Sequence, residues 1–361
     1  MSVLEYKCPN CGGTLKFDAA SQKMLCEYCD STFDMDILEK YEKSVLNGTK
    51  TELDLGEYDS ESGSGDWTIE EIQGMKTYSC PSCGGQIIGD ETSVATKCPY
   101  CDSATVIPGQ FNNDKKPDYV LPFFKTKKDA EEAFRKNTKG KKLLPDVFLS
   151  EQRIESVKGI YVPFWLFDSK INADYTYKAT KVRSWSDSNN RYTETSTYMV
   201  ERGGTVEFKK VPVDGSSKME DTLMESIEPF NYEKLVPFTT AYLSGYMADK
   251  YDVDVTECKP RAVERINSSV KSLFDETVSG YSTTTVTNTN SSVVSSDMKY
   301  ALLPIWLLNT KYKDKIYTFA MNGQTGKFVG ELPVSKEKVR KEFFKWFIPA
   351  TVILGIITYF I

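Results

Sequence analysis

The sequence predicts a multidomain chain: two small β zinc ribbons, a duplicated α+β domain with an antiparallel-rich sheet, and a C-terminal transmembrane helix. Three observations predict it. A CxxC pair followed by a second CxxC pair occurs twice in the first hundred or so residues. A nine-residue strand-like segment recurs without gaps in the second half. The last sixteen residues carry no charged side chain.

The first ribbon is assigned to residues 1–34. It holds Cys8-Pro9-Asn10-Cys11-Gly12-Gly13 and, after fourteen residues, Cys26-Glu27-Tyr28-Cys29. The second, in 77–110, holds Cys80-Pro81-Ser82-Cys83-Gly84-Gly85 and, after the same gap, Cys98-Pro99-Tyr100-Cys101. Each CxxC pair forms a tight knuckle supplying two sulfurs, so two pairs make one tetrahedral four-thiolate zinc site. Cys8, Cys11, Cys26 and Cys29 are the expected ligands of one structural Zn2+, and Cys80, Cys83, Cys98 and Cys101 those of another. Disulfides or free thiols are the alternative, which the duplicated spacing and trailing Gly-Gly disfavour. The glycines permit the positive-φ turn that aims backbone amides at sulfur. Between the knuckles, Thr14–Phe17 with Lys23–Cys26, and Gln86–Ile88 with Ala95–Cys98, read as short strands.

Residues 35–76 read as a short helix, Met35–Leu46, followed by an acidic flexible linker in which Thr51–Glu71 contains no base. Trp67 and Ile69 offer a docking motif as the other reading. Residues 115–335 form the duplicated core. Val162-Pro163-Phe164-Trp165-Leu166-Phe167-Asp168-Ser169-Lys170 aligns on Leu303-Pro304-Ile305-Trp306-Leu307-Leu308-Asn309-Thr310-Lys311. Leu121-Pro122-Phe123-Phe124 and Val236-Pro237-Phe238 are expected to open the two halves, with helices over Lys127–Asn137 and Pro260–Phe274. The Pro-Φ-Trp strands read as sheet core with proline at the strand start, or else as the wall of an aromatic ligand pocket. Ser186-Asp187-Ser188-Asn189-Asn190 marks a hairpin turn, and Tyr281–Ser296 is rich in β-branched residues and reads as extended. Asp168 and Asn309 read as strand ends.

Residues 336–361 are read as a basic flank and a membrane anchor. Lys336, Lys338, Arg340, Lys341 and Lys345 precede the apolar run Trp346–Ile361, which places the N-terminal bulk in the cytoplasm of a single-pass cell-membrane protein. Started at Phe343, with Lys345 snorkelling, the helix reaches about 28 Å of a hydrocarbon core of about 30 Å. A buried core helix is the competing reading.

Composition narrows the chemistry. The chain has 361 residues, a formal charge of −6 and no histidine. That removes Ser-His-Asp and Cys-His catalysis and every imidazole-bound metal. No Walker A, dinucleotide or GxSxG element occurs. Four thiolates close a zinc shell and leave no position for substrate, so catalytic residues and organic cofactors are expected to be absent. Acids outnumber lysines in both ribbons, contrary to the basic footprint of nucleic-acid binders. The basic stretch Lys115–Lys142 reads as a solvated helix face or as a patch for anionic lipid. Cys258, the ninth cysteine, reads as a small buried hydrophobe.

Taken together, the paired CPxCGG…CxYC ribbons, the Pro-Φ-Trp strands and the apolar tail resemble the bacterial tail-anchored membrane proteins labelled "TFIIB-type zinc ribbon-containing". Members often carry primosomal-helicase or phage-replication labels and occur beside PspA-like and SPFH membrane-stress proteins. The resemblance implies a non-enzymatic scaffold that recruits such membrane-associated partners and contacts the bilayer through its C-terminal helix. A membrane-tethered nucleic-acid-binding protein of replication or transcription is the alternative.

Overall fold

The computed structural model describes residues 7–18, 21, 23–46, 53–58, 65–73, 75–90, 97–103, 107–110, 115–150, 154, 156–313 and 315–360. The chain divides into two compact units. Unit 1 comprises Met1–Glu57, Asp168–Val211 and Arg261–Asp297; unit 2 comprises Tyr58–Phe167, Pro212–Pro260 and Met298–Ile361.

In chain order, the first ribbon contributes β1 (Leu15–Asp18), β2 (Lys23–Cys26) and β3 (Thr32–Phe33), then helix α1 (Met35–Leu46). β1 and β2 pair antiparallel from Leu15↔Cys26 to Asp18↔Lys23, around the expected turn. Most of that turn (Ala19, Ala20 and Gln22) lies outside the described residues, as do Ala95 and Thr96 of the second ribbon and most of the acidic stretch 47–64. Leu15, Met24 and Cys26 alternate inward and meet Leu38 of α1, giving the ribbon a small core of its own.

There follow α2 (Ile69–Gln73), β4 (Met75–Ser79), β5 (Gln86–Asp90), β6 (Ile107–Gln110), β7 (Tyr119–Val120), α3 (Lys127–Thr138), β8 (Lys158–Ser186), β9 (Arg191–Asp214), α4 (Asp221–Ser226), β10 (Val236–Pro237), β11 (Met247–Asp249), α5 (Val255–Thr277), β12 (Thr283–Tyr312), β13 (Lys315–Asn322), β14 (Phe328–Gly330) and α6 (Lys336–Phe360). Within unit 2 the strands run in the order β10-β7-β12-β8-β11-β5-β4-β6, with β13 and β14 attached through β12. The second ribbon's strands therefore join the main sheet: β5 pairs β11 at Ala248↔Ile88. Tyr78, Cys80, Ile87, Cys98 and Tyr100 share one core with Val162, Phe164, Leu303 and Ile305.

The repeat is written into the hydrogen bonds. Gly215 N–H donates to the Pro163 carbonyl at 2.9 Å, and Gly323 N–H to the Pro304 carbonyl at 2.8 Å. Gly215 O accepts from Asp252 and Val253, and Gly323 O accepts from Phe124 and Lys125. The Trp165 indole donates to Val253 O at 3.1 Å and the Trp306 indole to Lys125 O at 3.0 Å. Each of those carbonyls stands just before a helix N-cap, Asp254 for α5 and Thr126 for α3. The strand–helix pairs are exchanged between copies: β7 runs parallel to β12, and β11 runs parallel to β8.

Several expectations change. The second copy of Leu121–Phe124 is Asp249–Asp252, not Val236–Phe238; Val236 and Pro237 form β10, an edge strand antiparallel to β7. Helix α5 starts at Val255 rather than Pro260, because the Asp254 carboxylate caps the N–H groups of Thr256 and Glu257. Pro163 and Pro304 lie inside β8 and β12. Pro304 is tolerated because the β12–β13 ladder begins one residue later, at Ile305↔Asn322. Asp168 and Asn309 likewise lie within strands.

The transmembrane helix, and with it single-pass localisation in the cell membrane, is overturned. No helix among the described residues is long and apolar enough to cross a membrane. In α6 the charges of Lys336, Glu337, Lys338, Arg340, Lys341, Glu342 and Lys345 take up the first ten residues. The uncharged remainder to Phe360 covers about 22 Å, against a hydrocarbon core of about 30 Å. The charged start of the helix is instead tied into unit 2: Lys338 Nζ donates to Leu144 O at 2.7 Å and to Asp146 at 2.6 Å.

Candidate metal centres

Each ribbon brings its four cysteines together as the spacing requires. In the first, Sγ–Sγ distances are 3.6 Å for Cys8–Cys29 and 3.4 Å for Cys11–Cys26. In the second, Cys80–Cys101 and Cys83–Cys98 are both 3.6 Å. Within each set all four sulfurs lie within 4.8 Å of one another, so each can hold a metal ion. Four sulfurs bonded to zinc at about 2.3 Å stand about 3.8 Å apart, close to what is observed. The nine described cysteines are all free of disulfides.

The knuckles are built by the same bonds in both copies. Cys8 N–H donates to Gly13 O at 2.7 Å and Gly12 N–H returns to Cys8 O at 2.8 Å. Cys80, Gly84 and Gly85 repeat this at 2.9 and 2.8 Å. Gly12 and Gly84 have φ of 77° and 72°, where a Cβ would be strained. The second glycine of each pair has a different task. A Cβ on Gly13 would stand 2.6 Å from the Tyr28 ring, and one on Gly85 would stand 2.8 Å from the Tyr100 ring. The tyrosine of each CxYC therefore lies over the Gly-Gly of its partner knuckle.

Three groups were not visible as site residues in the sequence. Asp30 and Asp102 adopt φ of 55° and 57° after the second knuckles, a left-handed position that aspartate fills more readily than most residues. Their N–H groups bond to Cys26 O and Cys98 O. Lys158, at the start of β8, donates its ammonium to Lys97 O at 2.8 Å and Cys98 O at 3.4 Å. Asn309 donates to Pro99 O and Tyr100 O at 2.5 and 2.6 Å, clamping the second knuckle from β12. Its repeat partner Asp168 instead pairs with Lys210, whose backbone N–H and ammonium both reach it at 2.6 Å.

The thiols differ in acidity. Burial pushes Cys8 up to about 12, against the N–H groups of Cys11 and Asn10. Burial likewise holds Cys98 well above the usual thiol range. At Cys80 burial is outweighed by the N–H groups of Cys83 and Ser82 and by the Cys101 thiol, which bring it down to about 7. Four thiols packed this closely ionise fully only around a cation, and the all-sulfur donor set, tetrahedral spacing and absence of imidazole suit Zn2+. The two tetracysteine sites are thus consistent with two structural zinc ions.

No family model and no solved structure matches the chain. It is 35% identical over 341 residues to the uncharacterized protein YdjG of Bacillus subtilis (strain 168), covering 94% of this chain and 93% of that one. With nearly the whole length of both chains aligned, this protein belongs to the family of YdjG.

Proposed function

We propose that the protein is a non-enzymatic zinc-ribbon adaptor that binds other proteins through its ribbons, with PspA-like or SPFH-like proteins as its first candidate partners. The observation that carries this reading is the surface of the first ribbon. Its metal site is closed by four thiolates, while Phe17, Tyr28 and Ile37 around it are 53%, 78% and 45% exposed. Exposed apolar residues on a small metal-stapled scaffold suit protein recognition. The charges nearby suit phosphate poorly: Lys16 pairs with Glu27 at 2.7 Å and Lys23 with Asp34 at 3.3 Å.

The test is a binding titration of the zinc-loaded chain against purified PspA-like and SPFH-like proteins. The double substitution Phe17→Glu and Ile37→Glu is expected to weaken binding at least tenfold while zinc content stays unchanged. Indifference to those changes overturns the reading. Tight, steeply salt-dependent gel shifts with DNA or RNA would favour a nucleic-acid-binding protein instead.

A further inference from the structure

The two halves of the repeat treat their tryptophans differently. In the first copy, Trp165 is surrounded by three rings: Tyr251 at 5.5 Å, Tyr300 at 5.3 Å and Tyr58 at 5.4 Å. Tyr58 does not belong to the repeat. It comes from the acidic stretch Leu53-Asp54-Leu55-Gly56-Glu57-Tyr58-Asp59. Its ring lies edge-on to Trp165, its hydroxyl reaches Asp118 at 3.4 Å, and the Lys115 ammonium stands 3.4 Å from its ring centre.

In the second copy, Phe123 takes the place of Tyr251, at 5.1 Å from Trp306. Gly159 falls at the position of Tyr300, and Tyr246, at the position of Asp118, lays its ring over that glycine at 6.1 Å from Trp306. Among the described residues, no ring occupies the place of Tyr58. What remains there is a cavity of 570 Å³ walled by Phe123, Tyr246 and Trp306, with Lys125, Lys127 and Lys158 around it. The counterparts of Lys125 and Lys127 in the first copy are Val253 and Val255, so these two charges belong to the open copy, while Lys158 is held by the carbonyls of Lys97 and Cys98. The acid beside it, Asp129, is engaged by the Thr126 N–H and hydroxyl in the α3 capping box.

We propose that this cavity binds an aromatic side chain from an acidic peptide of a partner protein, as the first copy binds the chain's own Tyr58. The aromatic walls accept the ring, and the lysines meet flanking carboxylates. A cavity of this size accommodates one such side chain and its neighbours. This adds a partner chemistry to the adaptor reading but is tested apart from it, since the cavity shares no residue with the first ribbon.

The probe is a fluorescein-labelled peptide of sequence Leu53–Ser60, titrated by anisotropy against the full zinc-loaded chain. Saturable binding is expected, weakened at least tenfold by Tyr58→Ala in the peptide. It should weaken at least tenfold again with Lys125→Glu plus Lys127→Glu in the protein. Phe124→Ala, a change at an exposed rim residue, replaces the lysine variant if that one loses its native circular dichroism. No saturable binding overturns the proposal. So does binding indifferent to the protein variants, which would mark exchange at Trp165. Equal competition by inorganic phosphate or AMP overturns it too, by making the cavity a plain anion site. Failure here leaves first-ribbon-dependent partner binding standing, and failure of that binding leaves this titration readable.

Discussion

Gly13 and Gly85 each meet the tyrosine of their own CxYC, Tyr28 and Tyr100, yet the two positions differ in tolerance. Tyr100 is 8% exposed and sits in the main core, so its ring has nowhere to go; Tyr28 is 78% exposed and can swing into solvent. Gly85→Ala is expected to cost about 1–3 kcal/mol, as overpacking in a core does. Gly13→Ala should cost under about 1 kcal/mol. Chemical denaturation of the zinc-loaded proteins measures both. Asp249 gives a second prediction at this scale. It is buried against the Ser216 hydroxyl, and burial, opposed by that hydrogen bond, raises its carboxyl to about 7. The folded value lies above the unfolded one of about 3.9, so the native state binds the extra proton. The stability tied to that proton is present at low pH and is lost as pH rises through about 7. Asp249→Asn, which has no charge to bury, should therefore exceed the parent in Tm by a margin that grows from pH 5 to pH 8. A margin independent of pH would rule out the titration of Asp249 as its source.

The strand β12 helps to tie the second metal site to the fold, beside β11 and Lys158 of β8. Asn309 holds the carbonyls of Pro99 and Tyr100, and removing it leaves two knuckle acceptors without that donor. Asn309→Ala should weaken zinc retention at the second site by about 1–3 kcal/mol, read by competition with a chromophoric chelator. Asp168→Ala, whose partner is Lys210, should leave that site's affinity unchanged. At this scale the sequence was partly legible. The cysteine spacing announced the sulfur cages, because chelate geometry is local. The role of Asn309 was not legible, because the repeat alignment pairs it with Asp168 and only the tertiary fold shows what each touches. The exchange of strand–helix pairs between copies was equally hidden: periodicity reports which residues face inward, not which strand receives them.

For the molecule as a whole, the two metal sites differ in what rests on them. The first ribbon has its own small core, whereas Cys80 and Cys98 belong to the principal core of unit 2. Chelation should release about two zinc ions per chain. It should also lower the main thermal transition far more than Cys8→Ser plus Cys11→Ser does, as calorimetry would show. The apolar tail was misread from sequence for a quantitative reason. The sequence showed an apolar run without charged side chains, but its uncharged length falls about 8 Å short of the hydrocarbon thickness.

The parallel pairing of β7 with β12 joins Tyr119 to Ala301 and Val120 to Leu302. A chain emerging from the ribosome therefore makes β7 and α3 long before the strand that receives them exists. Until β12 and the strands after it follow, Phe134 of α3 can pack on Leu144 and Phe148 but lacks the rings of Phe319 and Phe328. Such long-range parallel pairing closes a large loop before it yields contacts, which slows folding and prolongs exposure to aggregation. The architecture thus makes the first half of this protein a client of its own second half during synthesis.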